Sequence, residues 1–354
     1  MNKKRVMVAM SGGVDSSVAA YLLCRQGHDV AGVTMCLEIA DKSGVPKHCG
    51  TDAVGDARKI CDILQIPHHV LDFSAKLFSD VIQDFIDQYT EGRTPNPCVR
   101  CNRLLKFGSL LDYAQSCGFD FIATGHYAGI ALHEGKPVLC RRIDDPKDQT
   151  YFLYSIPSSK LDKILFPLSE LDKQQVREIA QDAGLPVASK PESQEICFVP
   201  DNNYRAFLRK YESFNSKPGD FVNLRGEILG THRGISDYTV GQRKGLGIAS
   251  GKPLYVLCID KEHNRVVLGD KDELGAEALI ATDVNLFMDG IPEQITAKIR
   301  YSQHDIPCKA KVGTDKKLEV RFEKAQDAVT PGQSVVLYKR ELVVGGGIIE
   351  KAVR

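Results

Sequence analysis

Short apolar runs and amphipathic stretches alternate through the first two hundred residues. Residues 5–10 read as a buried strand, 16–25 as a helix and 29–35 as a second strand. Apolar residues recur at helical spacing over 51–65 and 77–89, while 69–73 and 119–124 are strand-like. Strands alternating with helices of this length predict an α/β fold with a doubly wound parallel sheet. Beyond residue 200 the pattern changes. Glycines recur at Gly219, Gly226, Gly230, Gly234, Gly241, Gly245 and Gly247, among short β-type runs at 255–259, 296–300, 318–322 and 334–338. Such spacing predicts one or two small β-barrels. The expected division is 1–200 for an α/β domain, 201–275 for a central β-rich domain and 276–354 for a C-terminal barrel. No solenoid repeat or low-complexity tract interrupts it.

Composition narrows the class. The 354 residues exceed one ordinary core, and 46 basic residues balance 46 acidic ones. Zero net charge excludes a polybasic coat or an acidic tail but not a local basic surface. Divided at residue 200, the halves carry −3 and +3. The apolar run 6–10 is too short for a signal peptide and nothing approaches a membrane span, so a cytoplasmic protein is expected. Eleven cysteines are many for a reducing compartment. They read as buried thiols plus a reactive or metal-binding minority rather than a disulfide framework.

The first candidate chemistry lies where the first strand meets the first helix, in Ser11-Gly12-Gly13-Val14-Asp15-Ser16-Ser17. Two glycines let the backbone approach a ligand, and the helix start favours phosphate through its free amides and dipole. Ser11, Ser16 and Ser17 offer hydroxyl donors, and Asp15 offers a route to Mg²⁺ on the phosphates. There is no Gly-Lys-Ser/Thr ending of the Walker type.

Ser-Gly-Gly-x-Asp-Ser resembles the signature of PP-loop ATP pyrophosphatases. That resemblance implies cleavage of ATP between its α and β phosphates and adenylation of a carbonyl oxygen, which then leaves as AMP when nitrogen or sulfur replaces it. It also implies that adenine sits by Met35 at the second strand's end, closed by Thr124-Gly125-His126. Taken alone, Met35 reads as core and His126 as a structural histidine.

Two cysteine segments stand apart. Residues 94–102, Thr-Pro-Asn-Pro-Cys-Val-Arg-Cys-Asn, read as a proline-stiffened loop carrying Cys98 and Cys101, and residues 193–199 place Cys197 near the end of the α/β half. A thiolate attacks a sulfur donor, holds the sulfur as a persulfide, and a second thiol releases it by forming a disulfide. Cys24, Cys36, Cys61, Cys117, Cys140, Cys258 and Cys308 read as packed thiols; Cys49 stays undecided.

With these segments the chain resembles the bacterial tRNA-specific 2-thiouridylases of the MnmA type, through 94–102, 147–153, 187–198, 238–246, 299–301, 330–333 and 345–347. The matches run in family order along essentially the whole chain. The resemblance implies ATP-binding positions at Ala9, Met10, Ser11, Gly12, Gly13, Val14, Asp15, Ser16, Met35 and Gly125. It implies Cys101 as nucleophile and Cys197 as persulfide carrier. Asn96, Pro97 and Cys98 match the stretch that meets the target base. His126, Lys147, Asp148, Gln149, Arg300, Tyr301 and Gln333 match positions near the tRNA. Taken alone, Arg300 and Gln333 read as solvated surface, and Asp148-Gln149 as a loop or helix cap.

Some family members carry Asp where this chain has Cys98, there viewed as an acid/base group. Here Cys98, Cys101 and Cys197 offer three thiolates, enough for a [4Fe–4S] cluster with one open iron. The persulfide route stands ahead of the cluster route. The function implied is a tRNA-uridine 2-sulfurtransferase using ATP and Mg²⁺ on the wobble uridine of tRNAs, those for Lys, Glu and Gln by resemblance. A cysteine desulfurase or sulfur-relay protein would supply the sulfur. Two other readings stay open, a PP-loop amidotransferase or tRNA-modifying ligase and a non-catalytic RNA-binding protein.

Overall fold

The structure is a computed structural model that describes residues 3–37, 39–40, 46–47, 51–142, 146–190, 196–211, 214 and 216–354. Cys49 and residues 193–195 of the second cysteine segment lie outside the described residues. The chain divides into two compact units.

The first unit comprises Met1–Val81, Cys98–Phe198 and Arg340–Val343. Its strands are β1 (Arg5–Ala9), β2 (Asp29–Cys36), β3 (His68–Asp72), β4 (Phe121–Ala123), β5 (Gly129–His133), β6 (Lys136–Cys140) and β7 (Ile164–Leu165). Its longer helices are α1 (Val14–Arg25), α2 (Thr51–Leu64) and α3 (Lys173–Asp182). The predicted parallel sheet is present in the order β3-β2-β1-β4-β7, with every pairing parallel. β1 lies at its centre, and Val6, Met7 and Val8 are fully buried, which is why that run is apolar without alternation. Val18, Ala19 and Leu23 of α1, Ala57 and Ile60 of α2, and Val176 and Ala180 of α3 cover the sheet.

Among the elements with no counterpart in the sequence reading are the β5–β6 hairpin, β7 and α3. The hairpin turns through Glu134 and Gly135, both at positive φ, the backbone that a two-residue turn needs to match strand twist. α3 starts on a reciprocal capping box between Asp172 and Gln175.

The second unit comprises Ile82–Pro97, Val199–Lys339 and Val344–Arg354. β8 (Gly219–Val222), β9 (Ile228–His232), β10 (Tyr255–Asp260) and β11 (Arg265–Gly269) form a sheet ordered β9-β8-β11-β10. Six further strands are β12 (Gly275–Leu286), β13 (Ile295–Lys298), β14 (Ile306–Val312), β15 (Leu318–Asp327), β16 (Ser334–Lys339) and β17 (Leu342–Val353). They run β12-β15-β14-β13-β16-β17, and β12 pairs with β17 to close a barrel. Alternating inward residues such as Leu318, Val320 and Phe322 fill it. The barrel expectation is met.

Residues 77–89, expected as one helix, change winding at a π-helical turn, Phe78–Ile82, before the helix Gln83–Thr90. On that helix Tyr89 stacks on Tyr204 at 4.7 Å and Phe85 meets Phe207 edge-on at 6.1 Å. Among the described residues no helix is long and apolar enough to cross a membrane.

All ten described cysteines are free thiols. Cys61 and Cys308 are buried, and Cys24, Cys36, Cys140 and Cys258 are half-buried, as packed thiols should be. Cys117 departs from that expectation. It is exposed just past the helix Leu111–Ser116, where packing does not account for it.

Candidate active site

β1 and β4 are neighbours, and their C-terminal ends open side by side. From β1 the chain enters Met10–Gly13 and α1; from β4 it enters Thr124-Gly125-His126. The sheet order reverses its connectivity between these strands, which is where open α/β sheets bind ligands.

The loop's hydroxyls mostly fold the loop itself. Ser16 Oγ donates to Gly13 O at 3.1 Å and accepts from Ser11 N at 3.2 Å, while Ser17 Oγ donates to Gly13 O at 2.8 Å. Ser17 is fully buried, so it is not the outward donor that the sequence suggested. Ser11 is exposed. Gly13 precedes α1 without a side-chain cap, so the first amides of the helix face the site uncapped. Gly12 has φ +69°, a conformation that favours glycine.

Two lysines distant in sequence lean on this loop. Lys173 Nζ holds both Asp15 carboxylate oxygens, at 2.8 and 2.9 Å, and Tyr127 OH donates to Asp15 Oδ1 at 2.7 Å. Lys190 Nζ donates to Gly12 O at 3.0 Å and to Asp56 Oδ2 at 2.8 Å, and this hydrogen bond holds the Asp56 carboxyl below its usual range. The loop has no lysine of its own, and these two supply its cations.

Gly125 joins the loop to the rest of the site. A Cβ there would lie 2.6 Å from both the Asp15 carbonyl carbon and the Ser16 amide nitrogen. One residue on, the His126 ring sits 6.0 Å from Phe107 and 6.3 Å from Phe166, and Nδ1 shares a 2.7 Å hydrogen bond with Thr124 Oγ1. Burial, with the Lys106 charge adding to it, holds His126 well below the ordinary histidine range, so the imidazole is neutral at pH 7.

Cys98 and Cys101 lie in a helix, not in the expected loop. Pro97 is the first residue of Pro97–Arg100, a position that proline suits, and the chain continues as a π-helix, Cys101–Leu110. A π-helix, with i→i+5 hydrogen bonds, winds more widely than an α-helix, so residue i+5 is turned less far from residue i, and the Lys106 charge acts on Cys101. Asn102, buried on a neighbouring face, donates from Nδ2 to Phe152 O at 3.0 Å and fastens this helix to the Thr150–Phe152 turn.

The thiols share an environment. Cys98 and Cys197 are exposed at the surface and Cys101 is half-buried, but the surrounding protein desolvates all three. Burial raises Cys98 and Cys101 above the ordinary thiol range, against the pull of Lys106. Burial pushes Cys197 up to about 12, the charges of Cys101 and Cys98 add to the push, and Lys106 opposes it. Cys98, Cys101 and Cys197 are thus brought together around one cation, which the sequence reading did not single out. Among the described residues no three His, Cys, Asp or Glu side chains are disposed to hold a metal ion. The three thiols as placed do not form such a set.

Other expected site residues have structural partners. Asp148 caps the Thr150 turn, accepting from Thr150 N at 3.0 Å and Thr150 Oγ1 at 2.9 Å. Gln149 and Tyr127 exchange hydrogen bonds, through Gln149 Oε1 and N. Lys147 is half-buried beside them, and Met35 is half-buried at the end of β2. Asn96, Pro97, Arg300, Tyr301 and Gln333 belong to the second unit. There Tyr301 is 36% exposed, but Arg300 is no solvated surface group. Its guanidinium donates to Val240 O at 3.1 Å, Ala328 O at 3.3 Å and Thr330 Oγ1 at 2.8 Å.

Family models match the chain from end to end. They are the tRNA methyl transferase HUP domain over residues 4–201, the tRNA methyl transferase PRC-barrel domain over 205–270 and the aminomethyltransferase β-barrel domain over 276–349. The chain is 49% identical to tRNA-specific 2-thiouridylase MnmA 1 of Syntrophus aciditrophicus (strain SB), covering 99% of this chain and 94% of that one. It is 48% identical to tRNA-specific 2-thiouridylase MnmA 2 of Clostridium botulinum (strain Okra / Type B1), covering 99% and 100%. It is 49% identical to tRNA-specific 2-thiouridylase MnmA of Acetivibrio thermocellus, again covering 99% and 100%. On these grounds the chain belongs to the tRNA-specific 2-thiouridylase family.

Proposed function

We propose that this chain thiolates the wobble uridine of tRNA at C2. ATP adenylates O2 of the uridine, pyrophosphate leaves, and the loop Ala9–Ser16 with Met35 and Gly125 holds the nucleotide. Asp15 would hold Mg²⁺ together with the phosphates, where the ion would neutralise the departing pyrophosphate. Lys173 and Lys190 bond to the loop and serve the same charge.

Sulfur arrives on Cys197 as a persulfide, from a protein that carries sulfane sulfur. Its terminal sulfur attacks C2, the C2–O bond breaks, and AMP departs. The Cys101 thiolate then attacks Sγ of Cys197, closing a disulfide and leaving the terminal sulfur on C2. Two electrons pass from the cysteine pair to the transferred sulfur, and a dithiol reductant restores the pair. The same atoms balance if Cys101 first releases hydrosulfide, which then attacks C2. A base in an anticodon loop must leave its stack to meet this chemistry, and Asn96, Pro97, Cys98 and the neutral His126 are the groups proposed to receive it.

The observation that carries the reading is the shared environment of Cys98, Cys101 and Cys197, on which Lys106 acts as it does on His126, the residue next to the Gly125 that lies against the Ser11–Ser16 loop. An amidotransferase or a methyl transferase has no use for that cysteine pair. A domain division near residues 200 and 275, a cytoplasmic location and tRNAs for Lys, Glu and Gln as acceptors complete the proposal.

The experiment incubates purified protein with unmodified tRNA, ATP and a persulfide donor and quantifies 2-thiouridine. Full activity of Cys101→Ser would remove thiolation through this pair. Iron and labile-sulfide analysis of anaerobically purified protein separates the routes: activity without iron excludes the cluster, and inactivity without iron excludes the persulfide alone.

A further inference from the structure

The barrel turn at residues 330–333 is held rigidly. Gly332 N donates to Ile349 O and Ile349 N to Gln333 O, both at 2.8 Å, so β17 fixes the turn from its own backbone. Thr330 is buried and its hydroxyl takes the Arg300 hydrogen bond.

This turn grips the stretch that precedes the cysteine helix, within the same unit. Thr94 N donates to Pro331 O at 2.9 Å. Gln333 Nε2 donates to Thr94 O at 2.9 Å and reaches Pro95 O at 3.5 Å. Thr94 Oγ1 donates to Thr239 Oγ1 at 3.3 Å. Gly332, at φ +91°, comes so close that a Cβ would lie 2.9 Å from Thr94 N and O. Pro95 and Pro97 have no N–H to contribute, so the stretch depends on these few contacts for its backbone path.

We propose that Gln333 is a positioning residue for thiolation: its carboxamide N–H groups, together with the Pro331 carbonyl, lock the Thr94–Pro95 backbone and so aim Asn96 and Pro97 at the target base. This inference rests on the thiolation reading above. The two ends of the carboxamide divide the work. Nε2 faces the Thr94 and Pro95 carbonyls, while among the described residues Oε1 accepts no hydrogen bond and stays available to RNA.

Gln333→Glu keeps the shape and the acceptors and removes the donors; Gln333→Ala removes the whole group. In tRNA-free protein both should speed hydrogen exchange at the Thr94 amide by about tenfold, the loss of roughly one hydrogen bond. Exchange within residues 335–337 of β16 should hold. Single-turnover formation of 2-thiouridine should fall by about tenfold, with tRNA affinity changed less than about twofold. Unchanged Thr94 exchange in both variants, with the loss confined to tRNA affinity, would make Gln333 an RNA contact only and overturn the proposal. A wild-type protein that forms no 2-thiouridine would instead refute the thiolation reading, and the exchange measurement would still decide the grip.

Discussion

Lys106 lies five residues after Cys101 in the same π-helix, and its charge bears on three thiols and one imidazole. An ordinary α-helical winding would carry residue i+5 well away from residue i. The wider winding brings a cation to thiols that burial raises, and its charge offsets part of that rise. Lys106→Met should raise the Cys101 thiol further and slow its alkylation at pH 7–8 by about threefold to tenfold, with the alkylation limb moved to higher pH. Lys106→Arg should restore it. Peptide-resolved alkylation across pH checks this, with exposed Cys117 as the internal reference whose rate should not move.

Gly125 lies against the nucleotide loop, and the next residue, His126, has its ring 6.0 Å from Phe107 of the thiol helix. Any side chain there meets backbone atoms of Asp15 and Ser16, which cannot yield as a flexible side chain could. Gly125→Ala should lower pyrophosphate release by about a hundredfold, the scale of an ångström misplacement in a reacting complex, and the forced shift should lower the melting temperature as well. A variant with unimpaired adenylation would contradict the contact.

His126 gives a pH prediction of definite sign. Its pKa is lowered by burial, so the unfolded chain binds the proton first as pH falls. The stability it contributes is complete above the ordinary histidine range and is lost as pH drops toward the folded-state value. Activity between pH 7 and 9 should therefore rise with thiolate formation and show no histidine inflection. An NMR titration of the His126 ring with its midpoint at the usual histidine value would contradict this.

Arg300 should behave as a structural clamp. Arg300→Ala removes the guanidinium from the carbonyls of Val240 and Ala328, which keep the Thr330 hydroxyl as donor, and from Thr330 Oγ1, so unfolding free energy should fall by about 1–3 kcal/mol. Arg300→Lys should not fully rescue it, because the three acceptors gather on the terminal Nη2, a position that the shorter lysine chain does not reach. Denaturant titration of the three proteins checks this. A stability unchanged in Arg300→Ala would return the residue to the solvent-facing role that its sequence context suggests.

What was legible in the sequence was local. The Ser11–Ser16 loop lies between adjacent elements, and the buried runs at 5–9 and 29–36 announce their strands. Short strands and glycine turns likewise foretold the barrel. The missing parts depend on distant partners or on winding. Nothing near Lys173 or Lys190 marks them as cations for a loop some 160 residues earlier. Prolines at 95 and 97 suggested a loop and hid a helix start. A π-helix has no distinct apolar period over ten residues, so Lys106 could not be paired with Cys101. Arg300 and Gln333 looked like surface because their acceptors are backbone carbonyls, which leave no trace in the sequence.

The central claim is that Cys101 and Cys197 act together on an adenylated uridine. Its most direct test is a single turnover of the purified protein loaded with persulfide sulfur, given ATP and unmodified tRNA, with nucleosides read by mass spectrometry. The account predicts one 2-thiouridine, one AMP and one Cys101–Cys197 disulfide per turnover, with none of the three products in Cys197→Ser. In Cys101→Ser the disulfide and the free 2-thiouridine should both be lost. Stoichiometric 2-thiouridine from either variant would contradict it.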